Sequence, residues 1–153
     1  MIKFAKLKDK NEVNVIRNQV HRLHVINRPD IFRDDFSAAA ERYDMYVKNY
    51  DYAVLACIRD GIVVGFAVIK TVDMPSSDFG ISRKYLSIEE LGVHEAHRRR
   101  GVGKEIVDFI KQYAYDHELD RIQLDYWAFN ENAGQFYEKM GFKIYRQCAE
   151  YFI

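Results

Sequence analysis

Cysteine, proline and any surplus of charge are what this 153-residue chain has least of, and each shortage excludes something. Cys57 and Cys148 are too few for a disulfide scaffold. With apolar and aromatic neighbours, each reads as a small buried hydrophobe. Neither adjoins a motif that would lower a thiol pKa, which argues against a nucleophilic cysteine. Lysine and arginine number 23, aspartate and glutamate 23, so the formal net charge is zero. A nucleic-acid-binding domain carries a basic excess, so no nucleic-acid partner is expected. No apolar run approaches the roughly 18 residues of a membrane span, and the N-terminus lacks a charged-then-apolar leader pattern. The expected location is the cytoplasm, with no membrane partner. His21 and His24 stand one helical turn apart, as do His94 and His97, but sequence fixes no third ligand near either pair. Tetrahedral zinc takes three or four protein ligands, so no metal is expected.

The length suits one domain, residues 1–153, with a single sizeable core. Apolar periodicity predicts a short strand over Ile2–Leu7 and a helix over Lys10–Ile26 carrying Val13, Ile16, Val20 and Leu23. Arg28-Pro29-Asp30 ends it, because proline disfavours helix in the residue before it. A second helix is predicted over Phe36–Lys48, with Ala39, Tyr43, Tyr46 and Val47 on one face. Tyr52–Ile58 and Ile62–Val72 flank Asp60-Gly61, a strong hairpin signal. A strand over Tyr85–Val93, a helix over Lys104–Glu118, a strand over Arg121–Trp127, a short helix over Ala133–Met140 and a strand over Phe142–Tyr145 complete the order. The tail, Glu150–Ile153, is a candidate seventh strand. This is a mixed α/β domain with an antiparallel front half.

The octapeptide His97-Arg-Arg-Arg-Gly-Val-Gly-Lys104 joins a predicted strand to a predicted helix. Two glycines one residue apart let the backbone turn tightly and bring N–H groups close to a ligand. A helix that starts there aims its positive dipole end at the same spot. Three arginines add formal charge, and the sum suits a pyrophosphate. It is not a P-loop, which needs glycine at position 98 and Ser or Thr at position 105, where Arg98 and Glu105 stand. Nor is it a dinucleotide fingerprint, since Ile106 replaces the third small residue. What remains is Arg98-x-x-Gly101-x-Gly103. Further on stands Asn130-x-x-Ala133-x-x-Phe136-Tyr137-x-x-x-Gly141-Phe142.

In these two segments, their order and their separation, the chain resembles the GNAT superfamily of N-acetyltransferases. The resemblance covers Tyr85–Phe142; the first half fits by element order alone. It implies a single domain built on a mostly antiparallel mixed sheet of six to seven strands with about four helices, and acetyl-CoA as cosubstrate. By the same resemblance, backbone groups of Leu91, Gly92 and Val93 would hold the pantetheine arm. The N–H groups of Arg99, Arg100, Gly101, Val102, Gly103 and Lys104 would hold the pyrophosphate. Arg98 would brace the loop or touch phosphate, and Lys104 could reach an outer phosphate oxygen. Asn130 would cap its helix, as Asn commonly does, and meet the cofactor. Tyr137 takes the place of the acid that protonates the departing thiolate; a phenol's ordinary pKa near 10 is not far above that of a thiol.

For the base, strict alternation puts residues 87, 89, 91 and 93 on one face of the strand and 88, 90 and 92 on the other. In relatives that acetylate polyamines, a glutamate two residues before the first pantetheine-contacting position serves as base or holds a water. Glu89 stands there, with Glu90 as runner-up and the Leu91 N–H as oxyanion donor. The implied reaction is direct transfer of acetyl to a primary amine of a small molecule or peptide in a ternary complex. A non-catalytic acyl-CoA sensor is the alternative. The first helical region mixes Arg17, Arg22, Arg28 and Arg33 with Asp30, Asp34, Asp35 and Glu41, so charge favours no acceptor; the resemblance of Trp127–Tyr137 to polyamine acetyltransferases points to a small amine. The aromatic tail, Tyr145, Tyr151 and Phe152, could pack on a second copy as a homodimer.

Overall fold

The computed structural model describes residues 1–153. Strands are β1 (Ile2–Phe4), β2 (Tyr52–Arg59), β3 (Ile62–Met74), β4 (Arg83–Val93) and β5 (Ile122–Leu124). Helices are α1 (Lys10–Asn27), α2 (Ala39–Lys48), α3 (Val102–Asp116) and α4 (Glu131–Lys139), with short 3-10 turns at Leu7–Asp9 and Glu95–His97. The sheet runs β1-β2-β3-β4-β5; the first three pairings are antiparallel and β4–β5 is parallel. The β2–β3 hairpin turns where expected: Asp60 and Gly61 have φ of 51° and 81°, the pair of positive angles that a tight two-residue turn requires.

The central strands are apolar on both sides because both sides are covered. Leu55, Cys57, Val64, Ala67, Ile69, Leu86 and Ile88 pack under Val102, Ile106, Ile110 and Ala114 of α3. Val54, Ala56, Val63, Phe66 and Val68 pack on the other face, under Val13 and Ile16 of α1 and Tyr43 and Tyr46 of α2. The α1 stripe is buried only in its first half; Leu23 is exposed.

Five strands form where six or seven were expected. Phe142–Tyr145 and Glu150–Ile153 make no ladder. Side chains tie this segment down instead: the Tyr145 hydroxyl donates to Gln123 Oε1 at 3.1 Å, and Glu150 pairs with Arg28 at 2.7 Å. With β5 only three residues long, little strand edge is offered for pairing. Phe142 alone is partly buried, edge-on to Tyr137, and Cys148 is exposed, against its expected burial. Cys57 is buried, and burial pushes its thiol pKa up.

Gly92 sits where β4 passes under α1. A Cβ there would lie 2.8 Å from Phe66 Cε1 and 3.1 Å from side-chain atoms of Ile16 and Val20. Phe66 and Ile16 are fully buried and cannot swing away. Gly92→Ala should cost about 1–3 kcal/mol in urea denaturation, the ordinary cost of overpacking; an unchanged midpoint would show that the α1 contact gives.

Candidate active site

Strand β4 carries one residue too many. Val68 of β3 faces Glu90 and Ile69 faces Ile88, so Glu89 has no partner. A bulge of this kind flips the side-chain alternation beyond it. Leu86 and Ile88 face α3 before it, and Leu91 and Val93 face α3 after it. The strict odd–even alternation expected from sequence therefore fails here. Glu90 turns to the α1 side with Gly92, which contacts Ile16 and Val20 there.

The bulge also fixes where the backbone points. The His94 N–H donates to Val64 O at 2.9 Å. Counting back by two, Gly92 and Glu90 bond to β3, while the amides of Leu91 and Val93 face away from it. On that side β5 ends opposite Ile88. An unpaired strand edge is left from Glu89 to Val93, the kind of edge that an extended amide-bearing chain can join. Arg98 Nε donates to Val93 O at 3.2 Å and braces the following loop against this edge.

The loop then presents its own amides. No backbone carbonyl accepts from the N–H groups of Arg99, Arg100 or Gly101. Those of Val102, Gly103 and Lys104 form the first turn of α3, which has no intrahelical acceptor; the first helical bond runs from Glu105 N to Gly101 O. Six successive donors thus converge on the positive end of the helix. Gly101 makes the turn at φ 80°. Gly103 lets the Phe136 ring close over the helix start, since a Cβ there would be 3.2 Å from Phe136 Cζ. The Lys104 ammonium is held by Asp108 on the exposed face.

Helix α4 supplies the opposite wall. Asn130 caps it, its Oδ1 accepting from Ala133 N at 3.2 Å. Tyr137 is 8% exposed, beside Tyr126, Phe136 and Phe142. Of the adjacent pair, Tyr137 is the buried ring and Phe136 the partly exposed one. Burial alone pushes the Tyr137 phenol up to about 12, and no side chain or carbonyl accepts from it.

A cleft of about 1160 Å³ joins these parts. Glu89, Leu91, Val93, Arg98, Arg99, Gly101, Val102, Gly103, Lys104, Asn130 and Tyr137 all line it; Gly92 and Arg100 do not. The Gly92 backbone is taken up by β3, and the Arg100 carbonyl accepts from Arg59 at 3.1 Å. The far end is walled by α1, α2 and the chain after β5. Here Arg17, only 8% exposed, donates through Nε to Glu90 Oε2 at 2.6 Å and through Nη1 to Asn14 Oδ1 and Ala39 O. His24 Nδ1 lies 3.0 Å from Val20 O. A carbonyl only accepts, so Nδ1 carries the hydrogen and Nε2 the lone pair. Burial, with a smaller contribution from His21, lowers the His24 pKa.

A family model described as acetyltransferase (GNAT) family matches residues 18–142. The chain belongs to that family. Its fold is that of the BH1408 protein from Bacillus halodurans, solved as a tetramutant: TM-score 0.97, 32% identity, covering 100% of this chain and 99% of that one. An aminoglycoside N-acetyltransferase, AAC(6')-Iy, solved in complex with CoA, shares the fold at TM-score 0.78 and 16% identity, over 100% and 93% of the two chains. An L-ornithine N5-acetyltransferase from Arabidopsis thaliana is 26% identical over 90 residues; the match spans 59% of this chain and 38% of that protein. The residues present in this GNAT chain fit acetyl-CoA on their own terms. Six free amides and two arginines suit a pyrophosphate, and the open β4 edge suits a chain of amides.

The sequence marks Arg17 only as one of several charges in the first helical region, and its burial against Glu90 was not foreseen, although a signal was there. It interrupts the apolar α1 stripe one residue after Ile16, where a surface charge does not belong. Asp125, which lines the cleft just beyond β5, had no signal.

Two measurements check this geometry. Gly101→Ala forces an L side chain into the left-handed region and should cost about 1–2 kcal/mol of stability, with weaker CoA binding by calorimetry. His24 has a folded pKa below its unfolded one. Its contribution is therefore fully present above about pH 6.5 and is lost as pH falls through the lowered folded value. In denaturation at pH 7.5 and pH 5, His24→Gln should reduce the pH dependence seen in the parent chain.

Proposed function

We propose that this acetyltransferase moves an acetyl group from acetyl-CoA directly to a primary amine, with both substrates bound in the one cleft. The observation that carries the reading is that Glu89 and Tyr137 line the same cleft from opposite walls, beside the free amides of β4 and α3. Transfer to an amine needs a group to take the ammonium proton, a donor for the developing carbonyl charge and a proton for the departing sulfur.

Glu89 is the proposed proton acceptor, directly or through a water. Glu90 is less suited, because the buried guanidinium of Arg17 holds its carboxylate. The neutral amine then attacks the thioester carbon; the C–N bond forms and the C–S bond breaks. Its remaining excess proton leaves to solvent. The Leu91 N–H faces the gap where the carbonyl oxygen would gain charge. Tyr137 gives its proton to sulfur and regains one from water. A phenol raised to about 12 stays protonated across the working pH range, and burial makes it a weaker acid than the ordinary phenol near 10. Arg98, Arg99 and the loop amides hold the pyrophosphate, Asn130 orders the α4 end, and Lys104 neutralises outer phosphate charge.

The alternative, an acyl-CoA sensor without turnover, retains the cleft but gives Glu89 and Tyr137 nothing to do. Thiol release from acetyl-CoA across an amine panel separates the two; none from any amine supports the sensor. Tyr137→Phe should lower kcat about tenfold or more with CoA affinity nearly unchanged. Glu89→Gln should flatten the acidic limb of kcat/KM; if Glu90→Gln does so instead, the carboxylates exchange roles.

A further inference from the structure

The amides before α3 serve an anion only while their peptides face the cleft. Gly101 lines the cleft and Arg100 does not. The Arg100 carbonyl and the Gly101 N–H belong to one peptide plane. No peptide bond of the chain is cis, and across a trans peptide the C=O and N–H point in opposite directions. Whatever holds the Arg100 carbonyl away from the cleft therefore aims the Gly101 N–H into it. The local backbone does not do so alone. Arg99 and Gly101, on either side, are both left-handed, at φ 63° and 80°. A side-chain-bearing residue is strained there, and a glycine turns at little cost. No backbone N–H donates to the Arg100 carbonyl.

Arg59 supplies the anchor from outside the cleft lining. It is the last residue of β2 and faces Ile62 across the hairpin, two strands from β4. Its Nη1 donates to Arg100 O at 3.1 Å and its Nη2 to Glu105 Oε2 at 3.3 Å. One rigid planar fork thus joins the carbonyl before the turn to a side chain in the first turn of α3. The Met1 ammonium holds the other oxygen of that carboxylate at 2.9 Å. At the near end of the loop, Arg98 Nε holds Val93 O. The loop is therefore tied to the sheet at both ends. Glu105 neutralises the Arg59 guanidinium, so what Arg59 contributes is direction more than net charge.

We propose, resting on the CoA-binding reading above, that Arg59 is a positioning residue for the donor. It touches no part of CoA. It acts through the Arg100 carbonyl, turning the Gly101 N–H toward the pyrophosphate before CoA arrives, and a donor set in advance saves the cost of ordering it on binding. Arg59 thereby sets donor affinity and takes no part in the transfer itself.

The test is calorimetric titration with CoA. Arg59→Met keeps an apolar stem and removes the fork; near-ultraviolet circular dichroism confirms the fold. It should bind CoA about tenfold more weakly than the parent chain. The loss should persist in 1 M salt, where charges are screened beyond about 3 Å. Amide exchange at saturating CoA should show the slowing lost at Gly101 and kept at Leu91 and Val93, a pattern that general loosening of the fold would not give. Glu105→Ala is the second variant, should Arg59→Met not fold. Removing a carboxylate beside an anion site would by charge alone tighten CoA binding; release of the Arg59 fork predicts weaker binding. Unchanged CoA affinity in Arg59→Met, a loss that disappears in 1 M salt, slowing at Gly101 that survives the substitution, or tighter binding by Glu105→Ala overturns the proposal. Any of these, with the parent chain binding CoA, leaves the CoA-binding reading standing. A parent chain that binds no CoA contradicts that reading and the proposal with it.

Discussion

Glu89 faces no residue of β3, and the two faces of the cleft follow from that unmatched position. Had β4 kept strict alternation, side chains that now meet α3 beyond the bulge would turn toward α1. The outward amides would fall on different residues as well. With the extra residue, Leu86, Ile88, Leu91 and Val93 stay with the α3 core. Leu91 and Val93 offer their amides to the gap past β5, and Glu90 turns to Arg17. A bulge costs ladder hydrogen bonds. Here the covering apolar layers on both sides of β4 hold it in place.

The second organising feature is electrostatic. The start of α3 gathers six amides whose own structure gives them no acceptor, and arginines stand beside them. Such a concentration of donors favours an anion. At the other end, Arg17 is buried against Tyr46 and Phe66 and joined to Glu90. A buried charge pair adds little net stability but is costly to break from one side. Its consequence here is positional: it fixes one carboxylate and leaves the other free.

Much of this was legible in the residues. The Asp60-Gly61 turn, the helices on their apolar stripes and the glycine-rich helix start each depend on contacts within a few positions, and local patterns record those. The bulge depends on how β4 is matched to β3, and nothing in Ser87-Ile-Glu-Glu-Leu91 marks one residue as surplus. Choosing between Glu89 and Glu90 by alternation therefore had the wrong geometry, even though both reach the cleft. The tail misled for a related reason. Its aromatic and β-branched residues have strand character, but pairing needs a partner edge, and β5 is too short to give one. Tyr137 was legible as a site residue from its motif. Its burial, and a phenol pKa raised to about 12, come from three rings distant or neighbouring in sequence that only the fold assembles.

Amide hydrogen exchange followed residue by residue, with and without CoA, tests the central claim most directly. The account predicts slowed exchange on CoA addition at Leu91 and Val93 and at Arg99 through Lys104, with Gly92 already slow in the free protein. Binding of CoA that leaves those amides unchanged, or protects a different edge of the sheet, would contradict it.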